Sequence, residues 1–168
     1  MAGSISEFTS NFYGGARSNR YRITIPQLGG TLEFLAKASN LPGSNVAAVD
    51  VPYMGRIVKV AGDRTFDDWT ISVFNDIDFD IRNKALEWMS VLENTHQANT
   101  GPDVMQAYYR EITVEQLNRV NTPIQTVIIH DAFPTAIGEI TLGFDQNDQI
   151  EEFDITFTYN YWTSEGAF

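Results

Sequence analysis

The last third of the chain contains a strict alternation of apolar and polar residues. Aromatic or aliphatic side chains occupy every second position from Phe153 to Tyr161, and polar side chains, beginning with Glu152 and Asp154, stand between them. A period of two places successive side chains on opposite faces of an extended strand, which is incompatible with an amphipathic helix. The pattern therefore predicts a half-buried β-strand, which needs neighbouring strands to form a stable sheet.

Similar strand signals recur upstream, separated by turn residues. They predict a hairpin that joins residues 21–25 to 31–38, a second, protruding hairpin over 46–60, and strands over 68–75, 110–120, 124–130 and 139–144.

One segment has the period of a helix. Its apolar face is formed by Ile77, Ile81, Ala85, Trp88 and Leu92. This spacing predicts a helix that Asn75 or Asp76 can cap, followed by a polar loop over 94–102. Seven or eight strands and one helix predict a mainly β fold, an antiparallel sandwich or barrel with the helix on its flank, in a single domain over 1–168.

The charge of the chain is strongly acidic and unevenly distributed. Lys and Arg number 11 against 22 Asp and Glu, which gives a formal net charge of −11. Arg17, Arg20 and Arg22 lie near the start, whereas no basic residue follows Arg119. This balance disfavours binding of nucleic acid through phosphate neutralisation. The acidic end is either a solvated face or the complement of the basic end across a subunit contact.

Composition also limits the chemistry and the location. The chain has no cysteine, which excludes disulfides, thiol catalysis and cysteine-bound zinc. No stretch reaches the roughly 18 consecutive apolar residues of a membrane span, and residues 1–9 lack the features of a signal peptide. We therefore expect a soluble protein that is made in the cytoplasm and does not insert into membranes.

Catalytic and metal-binding patterns are weak. The two histidines, His96 and His130, have no zinc-binding spacing and no accompanying nucleophile elbow. Residues 145–149 begin like a calcium loop, but Ile150 replaces the required glycine and Thr156 the required glutamate. We expect a hairpin turn there, a surface or interface role for His130, and no catalytic residue, metal or cofactor.

The densest polar cluster precedes the strand at 68–75. It comprises Gly62, Asp63, Arg64, Thr65, Phe66, Asp67, Asp68 and Trp69. Three carboxylates around one arginine could bind a divalent cation or act as an acid/base pair. The favoured interpretation is a loop fixed by arginine–carboxylate hydrogen bonds, with Phe66 and Trp69 anchored in the core.

The run over residues 60–70, followed by Asn75 and Asp76, closely resembles the tail tube proteins of T-even-like contractile-tailed bacteriophages. The match continues at residues 37–38, 41–42 and 54, and at 134–135, 138–139 and 161–162. Three segments depart from the family pattern and are treated as an N-terminal arm over 1–18, a loop over 94–109 and a C-terminal tail over 163–168.

The resemblance implies a structural role in the virion. Family members form hexameric rings whose strands join into one continuous barrel, and the rings stack into a hollow tube inside a contractile sheath. The implied partners are other copies, the sheath, the tape measure protein, and baseplate initiator and tail terminator proteins, with DNA passing through unbound. The family is similar in fold to the type VI secretion tube. The remaining alternatives are an initiator or terminator, the inner tube of a secretion or injection machine, and a monomeric β-sandwich that binds a ligand.

Three sets of residues are candidates for assembly. Glu152 and Asp154 are expected to face the lumen, because they lie on the polar face of the best-defined strand. The second hairpin is expected to stack ring on ring through Val49, Asp50, Val51, Pro52, Tyr53, Met54, Gly55 and Arg56. The cluster from Gly62 to Trp69 is assigned a structural or inter-subunit role. Unpaired strand edges are expected to close against neighbouring subunits.

Overall fold

A computed structural model describes residues 5–12, 15–30, 32–97, 105–144 and 149–166. The helices are α1 (Ile5–Asn11), α2 (Leu32–Leu35) and α3 (Asp80–Gln97), with a 3-10 turn at Met105–Ala107. The strands are β1 (Tyr21–Thr24), β2 (Ala36–Ser39), β3 (Asn45–Tyr53), β4 (Arg56–Thr65), β5 (Trp69–Phe74), β6 (Arg110–Leu117), β7 (Pro123–Ile137), β8 (Glu152–Thr158) and β9 (Tyr161–Gly166). The chain is mainly β, as predicted.

The long strand β7 connects two antiparallel layers. Its first half pairs with β6 and β9, and β6 continues the layer to β1. Its second half pairs with β8, which continues the other layer through β5 to β2. Asp131, at φ 57°, lies between the two halves, and Asn160 Nδ2 donates to its carboxylate at 3.1 Å. A left-handed residue at this point bends the strand from one layer to the next.

Both layers and α3 share one apolar core. The predicted alternation is confirmed, because Phe153, Ile155, Phe157 and Tyr159 are all buried. Helix α3 contributes Trp88, whose ring lies 5.9 Å from that of Phe157. The helix is therefore fixed against the β5–β8 layer, as the apolar face predicted.

The helix itself begins three residues later than its apolar pattern suggested. Ile77 is 98% exposed, and the Asp76 carboxylate accepts a hydrogen bond from the Asp80 amide at 3.0 Å. Asp76 is therefore the capping residue, as predicted, but it caps a helix that starts at Asp80. The loop predicted from residue 94 is also wrong at its start, because α3 continues to Gln97; residues 98–104 lie outside the described part.

The first predicted hairpin does not form. Strand β1 pairs with β6 and β2 pairs with β5, and the short helix α2 lies between them. The chain does turn near Gly29, which has a φ of 85°, and its amide donates to the Ile25 carbonyl oxygen at 3.3 Å. Ile25, Leu28 and Leu32 are buried around this turn, which leads from one layer to the other instead of back along β1.

The final predicted strand is two strands. Strand β8 ends at Thr158, and β9 pairs with β7 instead of continuing alongside β5. Residues 163–166, expected to be a tail, are therefore part of a sheet. Strand β8 is an interior strand of the sheet, because it lies between β7 and β5. Within the described chain the free strand edges belong to β1, β2, β9 and the β3–β4 pair.

Two further expectations are corrected. Residues 139–144 form no strand, although they alternate as a strand would. The N-terminal arm contains the exposed helix α1, and the ring of its Phe8 stacks at 5.1 Å on the ring of Phe12, which follows the helix. Residues 145–148 of the calcium-like loop lie outside the described residues, as do the first four residues of the arm.

Candidate functional site

Strands β3 and β4 form a hairpin that packs on no other strand of the chain. They constitute a separate two-stranded sheet in which every residue is exposed except Gly62, which is half-buried. The central turn residues Met54 and Gly55 have φ angles of 46° and 77°, as a two-residue type I′ turn requires. The structure confirms the predicted second hairpin and extends it to Thr65.

The two faces of the hairpin differ in chemistry. The register sets Val49 opposite Val60 and Val51 opposite Val58, so these four valines lie on one face. Each remains 43–51% exposed. The opposite face carries the Asp50–Lys59 ion pair, at 3.5 Å. The hairpin therefore presents an apolar face, defined by these four valines, that the chain itself leaves uncovered.

Gly62 is required by the packing of this hairpin. A Cβ atom at this position would lie 3.0 Å from the Ala47 carbonyl oxygen and 3.0 Å from Val49 Cγ2. The pairing register also shifts between Val46 and Ala48. The absence of a side chain at Gly62 lets the two strands approach at this irregularity.

The polar cluster is divided between β4 and the connection to β5. Asp67 accepts a hydrogen bond from Asn45 Nδ2 at 3.0 Å, and Asp68 accepts one from Thr158 Oγ1 at 2.6 Å. Arg64 lies exposed on β4 and forms no ion pair in the described part of the chain. The predicted arginine–carboxylate loop is therefore wrong for the single chain, whereas Trp69 is buried as expected.

One polar atom between β8 and β9, close to Asp67 and Asp68, has no partner in the described part of the chain. The Tyr159 hydroxyl is buried and has no hydrogen-bond partner among the described residues. Burial, together with the nearby Asp67 and Asp68, raises the pKa of this hydroxyl above its ordinary value of 10.0. Three or more histidine or carboxylate side chains grouped to hold a metal do not occur in the described ranges.

The outer face of β8 carries the predicted lumen residues. Glu152 forms an ion pair with Lys37 of β2, and Asp154 accepts a hydrogen bond from the Ser72 hydroxyl of β5. Both acids are exposed. Sequence reasoning did not place Lys37 beside these acids, because β2 lies two strands from β8 in the sheet. Its ammonium group offsets part of their negative charge.

His130 joins three strands at the other layer. Its Nδ1 lies 3.1 Å from Glu111 Oε1 on β6 and its Nε2 lies 2.9 Å from Thr163 Oγ1 on β9. The ring also stacks on Tyr161 at 4.6 Å. Hydroxyl, imidazole and carboxylate are ordered as in a catalytic triad, and their contacts link β6, β7 and β9 across the sheet.

A basic groove lies beside β1. Arg17, Arg20 and Arg119 line a groove of about 410 Å³ together with the turn between β6 and β7. Arg20 Nη1 donates to the Arg119 carbonyl oxygen at 3.1 Å, and none of the three guanidinium groups forms an ion pair among the described residues. Sequence reasoning had noted Arg17 and Arg20 but missed Arg119, which reaches the groove only because β1 pairs with β6.

The fold is shared with a component of a contractile injection system. A chain in the sheath–tube complex of the PVC extracellular contractile injection system superposes with a TM-score of 0.69 at 15% identity, covering 99% of this chain and 100% of that one. The TM-score shows that the two chains share a fold, and at 15% identity the comparison shows the fold alone.

Sequence comparison identifies the family. The family model described as "Phage tail tube protein" matches residues 6–165. Tail tube protein gp19 of Enterobacteria phage T4 is 35% identical over 161 residues, which covers 94% of this chain and 98% of that protein. The corresponding protein of phage T6 matches equally. The chain belongs to the phage tail tube protein family, and the match includes residues 94–109, which had seemed to depart from it.

No helix in the described ranges has the length and apolar character needed to cross a membrane.

Proposed function

We propose that this chain is the repeating subunit of the inner tail tube of a contractile-tailed phage. Six copies close into a ring, and rings stack into a hollow tube. The single observation that carries this proposal is the apolar face of the β3–β4 hairpin, which is uncovered in one chain and has the chemistry of a buried contact.

Ring stacking follows from this face. The hairpin forms a sheet of its own, and the turn at Met54 and Gly55 is its tip. A neighbouring ring that covers the four valines removes their exposed halves from water. The hydrophobic effect then drives stacking without any change in the fold of the subunit.

Ring closure follows from the sheet edges. Strands β1, β2 and β9 each have one unpaired side in the described chain. An unpaired strand edge is a template for another strand, and closure of a barrel around the ring eliminates such edges. The same argument gives the polar cluster its role, because exposed Arg64 and Asp63 on β4 are free to contact a neighbour.

The charge of the chain suits a conduit for DNA. Glu152 and Asp154 on the outer face of β8 are proposed to line the bore, and the net charge of −11 per chain supports an acidic wall. Repulsion between carboxylates and phosphates acts over about 8 Å at physiological salt. It therefore prevents DNA from adhering to the wall, where binding would slow its passage.

The remaining partners follow from the position of the tube in the virion. We propose that the sheath surrounds it, that the tape measure protein occupies its bore during assembly, and that initiator and terminator proteins bind its ends. Assembly occurs in the cytoplasm of the host bacterium. The role is structural, as membership of the tail tube family suggests.

Electron microscopy of the purified protein tests this proposal. Negative-stain images before and after concentration, with light scattering on a size-exclusion column, should show hollow tubes or stacked six-membered rings. A strict monomer under all conditions, even with an added baseplate nucleus, would contradict the proposal and favour a protein that caps the tube.

A further inference from the structure

Stacking of identical subunits into an open tube requires two different surfaces on each chain. A surface that binds a copy of itself closes into a pair, whereas a contact between two unlike surfaces can repeat along an open stack. The β3–β4 hairpin is the first of these surfaces. The second surface has to lie elsewhere on the chain, on a side directed away from the hairpin.

The topology places the hairpin at one end of the β2–β5–β8 layer. Strand β4 leads into the start of β5, where Trp69 pairs with Phe157 near the end of β8. At the opposite end of the layer, Phe74 of β5 pairs with Glu152 of β8. We call this opposite end, formed by residues 75–79, 138–144 and 149–152, the far end. Strand β5 has six residues, so about 20 Å separates the far end from the base of the hairpin.

Hydrogen bonds fix the segments of the far end to one another. The Asn75 amide donates to the Glu151 carbonyl oxygen at 2.8 Å, and Asn75 Nδ2 donates to Glu151 Oε2 at 2.8 Å. The Gly138 amide donates to the Asp154 carbonyl oxygen at 2.7 Å, and Arg82 Nη1 donates to the Gly138 carbonyl oxygen at 2.9 Å. A surface that is already ordered loses less entropy when a partner binds.

The far end exposes apolar side chains that the described chain leaves uncovered. Ile77, which is 98% exposed, lies in a turn closed by a hydrogen bond from the Phe79 amide to the Asp76 carbonyl oxygen at 3.2 Å. Leu142 and Ile150 are 77% and 71% exposed, and both line a groove of about 400 Å³. Exposed apolar groups beside a groove are typical of an interaction surface.

The groove carries negative charge. Glu139, Glu151 and Glu152 line it, and none of the described residues in its wall is basic. Glu151 accepts the hydrogen bond from Asn75, and Glu152 is paired with Lys37. Glu139 forms no ion pair within the described ranges. Its carboxylate is therefore available to a positive group of a partner.

The tip of the hairpin has the complementary chemistry. The register sets Tyr53 opposite Arg56, and both side chains continue the valine face to the turn. Met54, in the turn itself, is 86% exposed. Arg56 forms no ion pair in the part of the chain that the structure describes. The tip therefore combines apolar side chains with one uncompensated positive charge, which the basic groove beside β1 would repel.

We propose that the groove of the far end receives the hairpin tip of a second copy of this chain in the adjacent ring. Arg56 of the tip faces Glu139, and Met54 packs on Leu142 and Ile150. The inference rests on the proposed self-assembly and names the surface that each hairpin binds. Because hairpin and groove lie at opposite ends of one layer, the contact repeats from ring to ring.

A charge exchange tests this contact. Arg56→Glu and Glu139→Lys should each raise the critical concentration for assembly on the order of 10-fold, because each sets like charges against one another. The combined variant restores the opposite charges and should assemble within about threefold of wild type. Lys59→Glu changes the net charge as Arg56→Glu does, but on the other face of the hairpin, and should assemble as wild type. Urea unfolding of the monomers checks that each variant folds.

A combined variant that assembles no better than either single variant would overturn the inference, as would normal assembly of both single variants. Neither result would affect the proposed function, because wild-type tubes would still form. Failure of the wild-type protein to form tubes would instead count against the proposed function.

Cross-linking provides a second test, because the chain has no cysteine of its own. Tubes that carry Met54→Cys with Ile150→Cys, treated with a short bismaleimide, should give a ladder of multimers on denaturing gels. Met54→Cys with Val120→Cys is the matched control, because Val120 is 77% exposed but lines the basic groove. Tubes that give a ladder only with the Val120 pair, or with neither pair, would overturn the inference.

Discussion

Replacement of one opposed valine pair on the hairpin should weaken tube assembly without weakening the subunit. Val51 and Val58 face each other across β3 and β4, and they are 43% and 51% exposed. Thr at both positions keeps the β-branched shape and the strand propensity, so the hairpin should still form. It replaces a methyl group with a hydroxyl on each side chain, on the face that the next ring would cover.

The size of the effect follows from the exposed fractions. Each substitution removes one methyl group from the contact, worth about 0.8 kcal/mol when fully buried, and places there a hydroxyl whose desolvation costs about 1 kcal/mol. Stacking would bury the roughly half of each side chain that is still exposed. The two substitutions together should therefore weaken stacking by about 2 kcal/mol per subunit, which raises the critical concentration for assembly about 30-fold.

Sedimentation of tubes over a series of protein concentrations measures this critical concentration. Ile57→Thr is the matched control, because Ile57 is 65% exposed on the opposite face of the same hairpin. It should change the critical concentration less than about threefold. Urea unfolding of all the monomers should coincide. An unchanged critical concentration for the double variant would refute the assignment of this face to stacking.

Four further substitutions test individual contacts. Tyr159→Phe removes a buried hydroxyl that lacks a described partner and should raise the free energy of unfolding by about 1 kcal/mol in urea titrations. Asp76→Ala removes the cap of α3 and should lower it by about 1 kcal/mol. Gly62→Ala places a Cβ against the Ala47 carbonyl oxygen and should accelerate amide exchange throughout the hairpin. Arg64→Ala should leave urea unfolding unchanged and impair tube formation in micrographs; normal tubes would refute an inter-subunit role for Arg64.

Local patterns predicted the parts of the fold that depend on local contacts. The alternation at Phe153, Ile155 and Phe157 gave a core strand, and the apolar face at Ile81, Ala85 and Trp88 gave the main helix. Strand pairing depends instead on distant residues. Nothing near residue 21 indicates that β1 pairs with β6, about 90 positions away, so the first hairpin was wrongly predicted.

The same distinction applies to the candidate site. The β3–β4 hairpin is local, and its sequence identified it. The His130 link requires Glu111 and Thr163 from two other strands, and the basic groove requires Arg119 from the β6–β7 turn. Residues 139–144 show the opposite case, because their pattern predicts a strand that the single chain does not form.

A cryo-electron microscopy reconstruction of the assembled tube would show whether the valine face of the β3–β4 hairpin joins adjacent rings. We expect six-fold rings in which the valine face of each hairpin is covered by the adjacent ring and in which Glu152 and Asp154 face the bore. Tubes in which that face remains in solvent, or particles without a hollow six-fold ring, would contradict this expectation.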